Sequence, residues 1–309
     1  MGAGGIRLSG VVTLPAAAPG GGAVPGVLIV PGLGALDHDA VAAAGTPDGA
    51  NDALSSSLNP SSPGSVDPLY RDLAQALAQA GVASFRYDKR GTAASRVQPA
   101  QRLSLADEVA DARAALAFLL LRREVGTSPG AVLGHDVGGL VALEAAAGDS
   151  RVRAAVLVST PGRPLADVLA DDFARSRGTT LANQLRAAVA SLQATGRVPA
   201  ADTLAPLVRP EFPTGADAYL TSLFALDPVA DARSSSLRAL LVRGAGDRTV
   251  SAADNDRISP AFGAGADLLV STADADHNLA VIGTAGPAVR QRDHDTAERL
   301  AAWVKAALS

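Results

Sequence analysis

The chain has 309 residues, a formal net charge of -4, 48% apolar and 19% charged residues, and no cysteine. That length suits one large α/β domain with an insert or two small domains, and the composition is globular and not disordered. Mild acidity argues against a nucleic-acid partner, and the lack of cysteine excludes disulfides, Fe–S clusters and a thiol nucleophile.

The longest apolar run, Ala114 to Leu121, is too short for a bilayer span. The first ten residues lack the basic head and apolar body of a signal peptide, so the expected location is cytoplasmic, with no membrane partner. Lys89 and Lys305 are the only lysines; every other basic residue is arginine. Aromatic residues make up 3% of the chain, too few to line a pocket readily.

Val11 to Leu14 reads as a short first strand. Gly26 to Gly32 is an apolar run ending in a Pro-Gly turn, as expected of a strand buried on both faces. A polar loop follows over residues 35–66. Asp67-Pro68 predicts a helix start, Tyr70, Leu73 and Leu77 share one face, and Gly81 stops the helix. Val82 to Tyr87 is the next strand. Ser104 and Asp107 resemble a capping box, opening a helix whose buried stripe is Leu105, Val109, Ala112, Leu116 and Leu120. Strands over Gly130–Gly134, Val152–Ser159, Leu237–Val242 and Leu268–Ser271 follow. Helices are expected over Gly138–Ala147 and Asp295–Leu308, with Trp303 in the core. Such alternation specifies an α/β fold, a mostly parallel sheet with helices on both faces. Residues 161–233 break the rhythm with helical patterns over Leu165–Ser176, Thr180–Thr195 and Ala216–Leu226. They are read as a helical cap, with 1–160 and 234–309 as the core.

The stretch Gly134-His135-Asp136-Val137-Gly138-Gly139 lies between a strand and a helix. That is the setting of a nucleophile elbow, G-x-Nu-x-G, where a strained turn lifts one side chain above the sheet and glycines two positions away avoid a clash. The next helix would aim its positive dipole end at that side chain. Asp247 closes the strand Leu237–Val242, and His277 follows the strand Leu268–Ser271. Nucleophile, acid and histidine, each at a strand end and in that order, make the triad candidates Asp136, Asp247 and His277.

On these motifs the sequence resembles the α/β-hydrolase superfamily over essentially its whole length. It is most similar to a bacterial group with an R-Y-D-K-R-G strand-turn, here Arg86 to Gly91, and serine at the elbow in G-H-S-x-G-G. Aspartate at the elbow instead resembles epoxide hydrolases and haloalkane dehalogenases. The resemblance implies an α/β-hydrolase fold with a cap and no metal or organic cofactor. It also implies an oxyanion hole from the Val137 N–H and one N–H of the 32–34 turn, from Leu33 or Gly34.

A carboxylate nucleophile suits displacement at an sp³ carbon through an alkyl-enzyme ester. His277 would then activate water, oriented by Asp247. The expected substrate is an uncharged, epoxide-like small molecule. Halide release would need donors such as tryptophan near the nucleophile, and Trp303 lies in the last helix. Three alternatives stand beside this reading. Asp136 and His277 act as an acid–base pair in a tailoring reaction such as cyclisation, elimination or isomerisation; the chain is a serine-esterase relative whose nucleophile was lost or replaced; or it is a ligand-binding relative without activity. Tyr219, the only tyrosine in the insert, His38, beside the expected site mouth, and His135 are candidate substrate contacts, although His135 also suits packing beneath the elbow. Arg86, Asp88 and Arg90 read either as a buried salt-bridged turn or as a charge network supporting the site. Oligomeric state stays open, a homodimer included.

Overall fold

The computed structural model describes residues 2, 5–16, 22–34, 36–40, 68–95, 104–126, 128–263, 265–272, 274–282 and 290–309. Seven strands form one sheet: β1 (Gly10–Thr13), β2 (Gly26–Val30), β3 (Ala83–Tyr87), β4 (Gly130–His135), β5 (Val152–Val158), β6 (Arg238–Arg243) and β7 (Ala266–Val270). Their spatial order is β1-β3-β2-β4-β5-β6-β7. Only β1 runs antiparallel to its neighbour; Val27 pairs with Ala131 and Leu133 with Val156 in the parallel register of the sheet centre.

The side-chain alternation of a strand divides the core in two. Val27 and Ile29 of β2 face α1 (Leu69–Gln79) and α9 (His294–Ala307), with Tyr70, Leu73, Leu300 and Val304 in that layer. Leu28 and Val30 face the opposite layer, built on α2 (Leu105–Leu120) and α3 (Gly138–Ala146). The capping box at Ser104 and Asp107 is formed, and the stripe from Leu105 to Leu120 is buried. Asp67 and most of the 35–66 loop lie outside the described residues.

Strand order fixes where a site can form. The chain leaves β2 toward β3 on one side and leaves β4 toward β5 on the other. These two neighbours therefore flank the topological switch point, and a crevice opens at their carboxyl ends. Pro31 to Leu33 follow β2 there, and Asp136 follows β4.

Between β5 and β6 lie α4 (Leu165–Arg177), α5 (Thr179–Thr195), α6 (Asp217–Phe224) and α7 (Pro228–Ser234). Their apolar faces, with Val168, Leu185 and Leu223, join the same layer as α2 and α3. The sequence reading did not resolve α7 as its own helix. Asp227 caps it, accepting from the N–H groups of Val229 and Ala230, and Pro228 occupies its first turn.

Three further features depart from expectation. Helix α8 (Ala252–Ile258) is short and polar, and the hairpin of β8 (Ala280–Ile282) and β9 (Arg290–Arg292) carries almost no apolar alternation. Trp303 is only partly buried. Its indole N–H donates to Asp267 at 2.7 Å and Arg238 covers its ring, because α9 turns that position toward the rim of the edge strand β7. Among the described residues no helix is long and apolar enough to cross a membrane.

Candidate active site

Asp136 holds φ +53°, a left-handed conformation that an L side chain adopts at a cost. The packing around it leaves no alternative. A Cβ on Gly134 would lie 2.2 Å from the Gly138 carbonyl oxygen, and one on Gly138 would lie 2.3 Å from that of Pro31. Both glycines are needed for close backbone approach. Helix α3 starts directly after this turn, so its unpaired N–H groups and positive dipole end face the carboxylate.

The two oxygens of Asp136 have different surroundings. Oδ2 accepts the Leu33 N–H at 3.0 Å, and the Val137 N–H also bears on this carboxylate. Oδ1 has no hydrogen-bond partner and lies 4.0 Å from His277 Nε2, which has none either. Burial pushes the Asp136 carboxyl above its ordinary range, against the pull of His277, the two N–H groups and Lys89.

His277 and Asp247 reach the site from the ends of β7 and β6. The His277 Nδ1–H donates to Asp247 Oδ2 at 3.0 Å. Asp247 Oδ1 accepts the N–H groups of Thr249 and Val250, both at 2.9 Å. Burial works to raise the Asp247 carboxyl, but His277 and these N–H groups outweigh it and hold it below the usual range. Burial likewise opposes charge on His277, yet Asp247 first, then Asp136 and Asp276, raise its imidazole to about 9. Asp276 accepts instead from the N–H groups of Asn278 and Ala280, closing its own turn. The acid and base loops also meet directly, the Gly246 N–H donating to Ala275 O at 2.8 Å.

Three groups brace the Pro31–Leu33 turn. The Gly32 N–H donates to the Tyr70 hydroxyl at 2.8 Å, and Lys89 Nζ donates to Gly32 O at 3.0 Å. Lys89 also pairs with Glu108 at 3.0 Å. Leu33, and not Gly34, supplies the N–H that reaches Asp136. Tyr70 and Glu108 carry no motif of their own. Lys89 lies in the Arg86–Gly91 turn motif and is a lysine in a chain whose basic residues are otherwise arginine, apart from Lys305.

His135 is corrected as a substrate contact. It is 1% exposed, its Nε2–H donates to His277 O at 3.2 Å, and its Nδ1 faces the Tyr70 hydroxyl at 3.3 Å. Both ring nitrogens are engaged by protein, and burial followed by the His277 charge lowers its pKa to about 3. It is a neutral spacer beneath the elbow.

His38 is 30% exposed, but its Nδ1 lies 2.5 Å from Asp88 and Asp39 pairs with Arg86 at 2.9 Å. The loop's ligand types therefore turn to separate partners; among the described residues no three acidic or histidine side chains gather as a metal would need. Arg86 pairs with Asp39, Asp88 with His38, and Arg90 grips Asp111 through two nitrogens at 2.6 and 2.7 Å.

Tyr219, on α6, is buried, and its hydroxyl bears on the Glu108 carboxylate. Burial, then the charges of Glu108 and Asp136, push its phenol well above its ordinary value. It therefore keeps its proton and lies within the field of the Asp136 carboxylate. A cavity of about 480 Å³, lined by Glu144, Arg153, Asp231 and Leu237 among others, is elsewhere. It lies where β5 and β6 begin, at the opposite end of the sheet from Asp136.

Comparison with known proteins adds three findings. The family model described as serine aminopeptidase, S33, matches residues 68–281. Esterase EstD of Thermotoga maritima is 27% identical over 250 residues, which are 81% of this chain and 52% of the relative. The chain thus spans about half the length of that curated relative. Among solved structures, Est1E from Butyrivibrio proteoclasticus with ferulic acid bound has a TM-score of 0.59 at 13% identity, covering 99% of this chain and 96% of that one. A thermophilic esterase from Thermogutta terrifontis has a TM-score of 0.56 at 16% identity, covering 98% and 95%. Identities this low speak for a shared fold alone, and that fold is the α/β-hydrolase fold.

Proposed function

Since the chain belongs to the serine aminopeptidase S33 family, an α/β-hydrolase family, we propose that it is a hydrolase in which Asp136 is the nucleophile and the His277–Asp247 pair drives hydrolysis of an alkyl-enzyme ester. The substrate class is a small, uncharged, epoxide-like molecule. The observation that carries this reading is the division of labour between the two Asp136 oxygens. One is pinned by the Leu33 N–H at 3.0 Å, and the other is bare and faces His277.

In the first step Oδ1 attacks the sp³ carbon, an O–C bond forms, and the ring C–O bond breaks. The opened oxygen takes a proton from Tyr219, whose hydroxyl is buried and protonated. Tyr219 is made whole by the proton that His277 sheds. That release follows from electrostatics. With Asp136 esterified, a negative charge 4.0 Å from the imidazole is gone, and the imidazole loses one reason to stay charged. His277 thereby changes from a resting cation to a general base.

In the second step His277 takes a proton from water, and the hydroxide attacks the Asp136 carboxyl carbon. Negative charge develops on Oδ2, which already accepts the Leu33 N–H, while the Val137 N–H bears on the same carboxylate. Collapse breaks the ester, the product alkoxide takes the proton from His277, and the new Asp136 carboxylic acid then passes its proton to His277, which restores both the carboxylate and the resting imidazolium. Epoxide plus water has become a diol. Helices α4 to α7 act as the cap, with Tyr219 as their contribution to the site.

The likeness to Esterase EstD favours a second reading. Asp136 and His277 would then share proton transfer while water attacks an ester directly, with no covalent intermediate. A single turnover in ¹⁸O-water separates the two, with styrene oxide and p-nitrophenyl acetate as probes and mass analysis of the Asp136 peptide. Label in the Asp136 carboxylate is expected; turnover that leaves this peptide unlabelled refutes the covalent route.

A further inference from the structure

The Gly32–Leu33 peptide group is gripped at both ends. Its N–H donates to Asp136 Oδ2 at 3.0 Å, and its carbonyl accepts from Lys89 Nζ at 3.0 Å. Lys89 is 6% exposed, and its ammonium rests 3.0 Å from Glu108 on the first turn of α2. A cation on the carbonyl oxygen draws electrons through the amide toward that oxygen and leaves the N–H a stronger donor. Hydrogen bonds in series polarise one another in this way inside a protein. A lysine suits the place. Its compact charge on a thin stem serves one carbonyl and one carboxylate at once, where the wide planar fork of arginine would not.

We infer that Lys89 is a positioning residue that tunes the oxyanion hole from behind, polarising the Gly32–Leu33 peptide so that the Leu33 N–H holds the charge developing on Asp136 Oδ2, while Glu108 keeps the ammonium on the Gly32 carbonyl. This rests on the reading of Asp136 as nucleophile. It explains why a buried lysine stands behind the turn, where it touches neither Asp136 nor His277. The effect belongs to the second step, in which negative charge grows on Oδ2. The first step, in which Asp136 gives up charge through Oδ1, gains little from it.

The test variants are Lys89→Met and the pair Lys89→Met/Glu108→Gln. The pair avoids stranding a buried carboxylate, which alone can unfold a protein. The first measurement needs no substrate. The chain contains two Gly-Leu dipeptides, Gly32–Leu33 and Gly139–Leu140. With ¹³C-carbonyl glycine and ¹⁵N-leucine, a carbonyl–amide correlation spectrum therefore holds two peaks. In the folded variants the Leu33 amide proton is expected to move upfield while the Leu140 peak stays. A Leu33 peak that does not move overturns the inference.

The second measurement follows a single turnover of styrene oxide. Losing an oxyanion-hole donor outright costs about 10²–10³ in rate, so weakening one is expected to slow decay of the alkyl-enzyme about tenfold. Its formation slows by less than about threefold on the same argument. Equal slowing of both steps marks a merely structural role and overturns the inference. Should the wild-type protein form no alkyl-enzyme, the nucleophile reading fails alone, and the Leu33 shift still decides whether Lys89 polarises the peptide.

Discussion

Replacing Asp136 by asparagine removes one of the charges that hold the proton on His277. The two groups are 4.0 Å apart and both are buried. At an effective dielectric constant near 20, a charge pair at that distance is worth about 4 kcal/mol, or about three pH units. Asp247 stays in place at 3.0 Å and continues to favour the imidazolium, so the fall does not pass far below the ordinary histidine range. His277, at about 9 in the wild-type protein, is expected to titrate at roughly 6 to 7 in the variant. The sign is fixed, since loss of an anionic neighbour can only make the cation easier to deprotonate. Asparagine is neutral, as the ester would be, so the variant imitates the electrostatic state after the first chemical step. With ¹⁵N-labelled histidine the chain gives four imidazole signals, and His135, at about 3, stays neutral throughout as an internal reference. If His277 in Asp136→Asn still titrates at 9 or above, the conversion from resting cation to general base is refuted.

Two more perturbations address the rest of the site. Asp247→Asn keeps the size of the side chain but removes its charge and lets an amide face His277 Nδ1; by analogy with a triad aspartate, turnover should fall by about 10⁴, and a loss of less than tenfold in steady-state hydrolysis would put the orienting role elsewhere. Gly138→Ala sets a Cβ 2.3 Å from Pro31 O and 2.7 Å from Val30 O, both backbone atoms that cannot swing away. Overpacking of that kind costs about 1–3 kcal/mol in urea unfolding, and an unchanged midpoint would contradict the close approach of β2 to the elbow.

Much of the fold is legible because burial and chain period coincide. The run Gly26–Val30 is apolar throughout because both faces of the central sheet are covered, and Leu105 to Leu120 show a helical stripe because one face is. The candidate residues Asp136, Asp247 and His277 are legible for a different reason: the left-handed turn at Asp136 is flanked by Gly134 and Gly138, and the other two follow strand ends. What stays hidden has no local signature. The hairpin β8–β9 has three-residue strands and ends in Arg290–Arg292, and the Asp293 N–H that follows it bonds back to Leu279 O across the chain. Trp303 reads as core by hydropathy, yet its N–H finds Asp267 at the rim. Lys89 acts through a carbonyl 57 residues away, contributed by the strand beside its own. No spacing rule reaches that far, because only the parallel register of β2 and β3 brings the two together.

The bond from Gly246 N–H to Ala275 O joins the loop that carries the acid to the loop that carries the base. Gly244 lies so close to that second loop that a Cβ there would fall 2.2 Å from Ala275 O. The two loops are therefore tied to each other, and His135 at the end of β4 ties them to the elbow by donating to His277 O at 3.2 Å. None of these contacts uses the side chain of residue 136. On the proposed reading, a change at residue 136 between acyl and alkyl chemistry leaves the contacts that hold Asp247 and His277 in place.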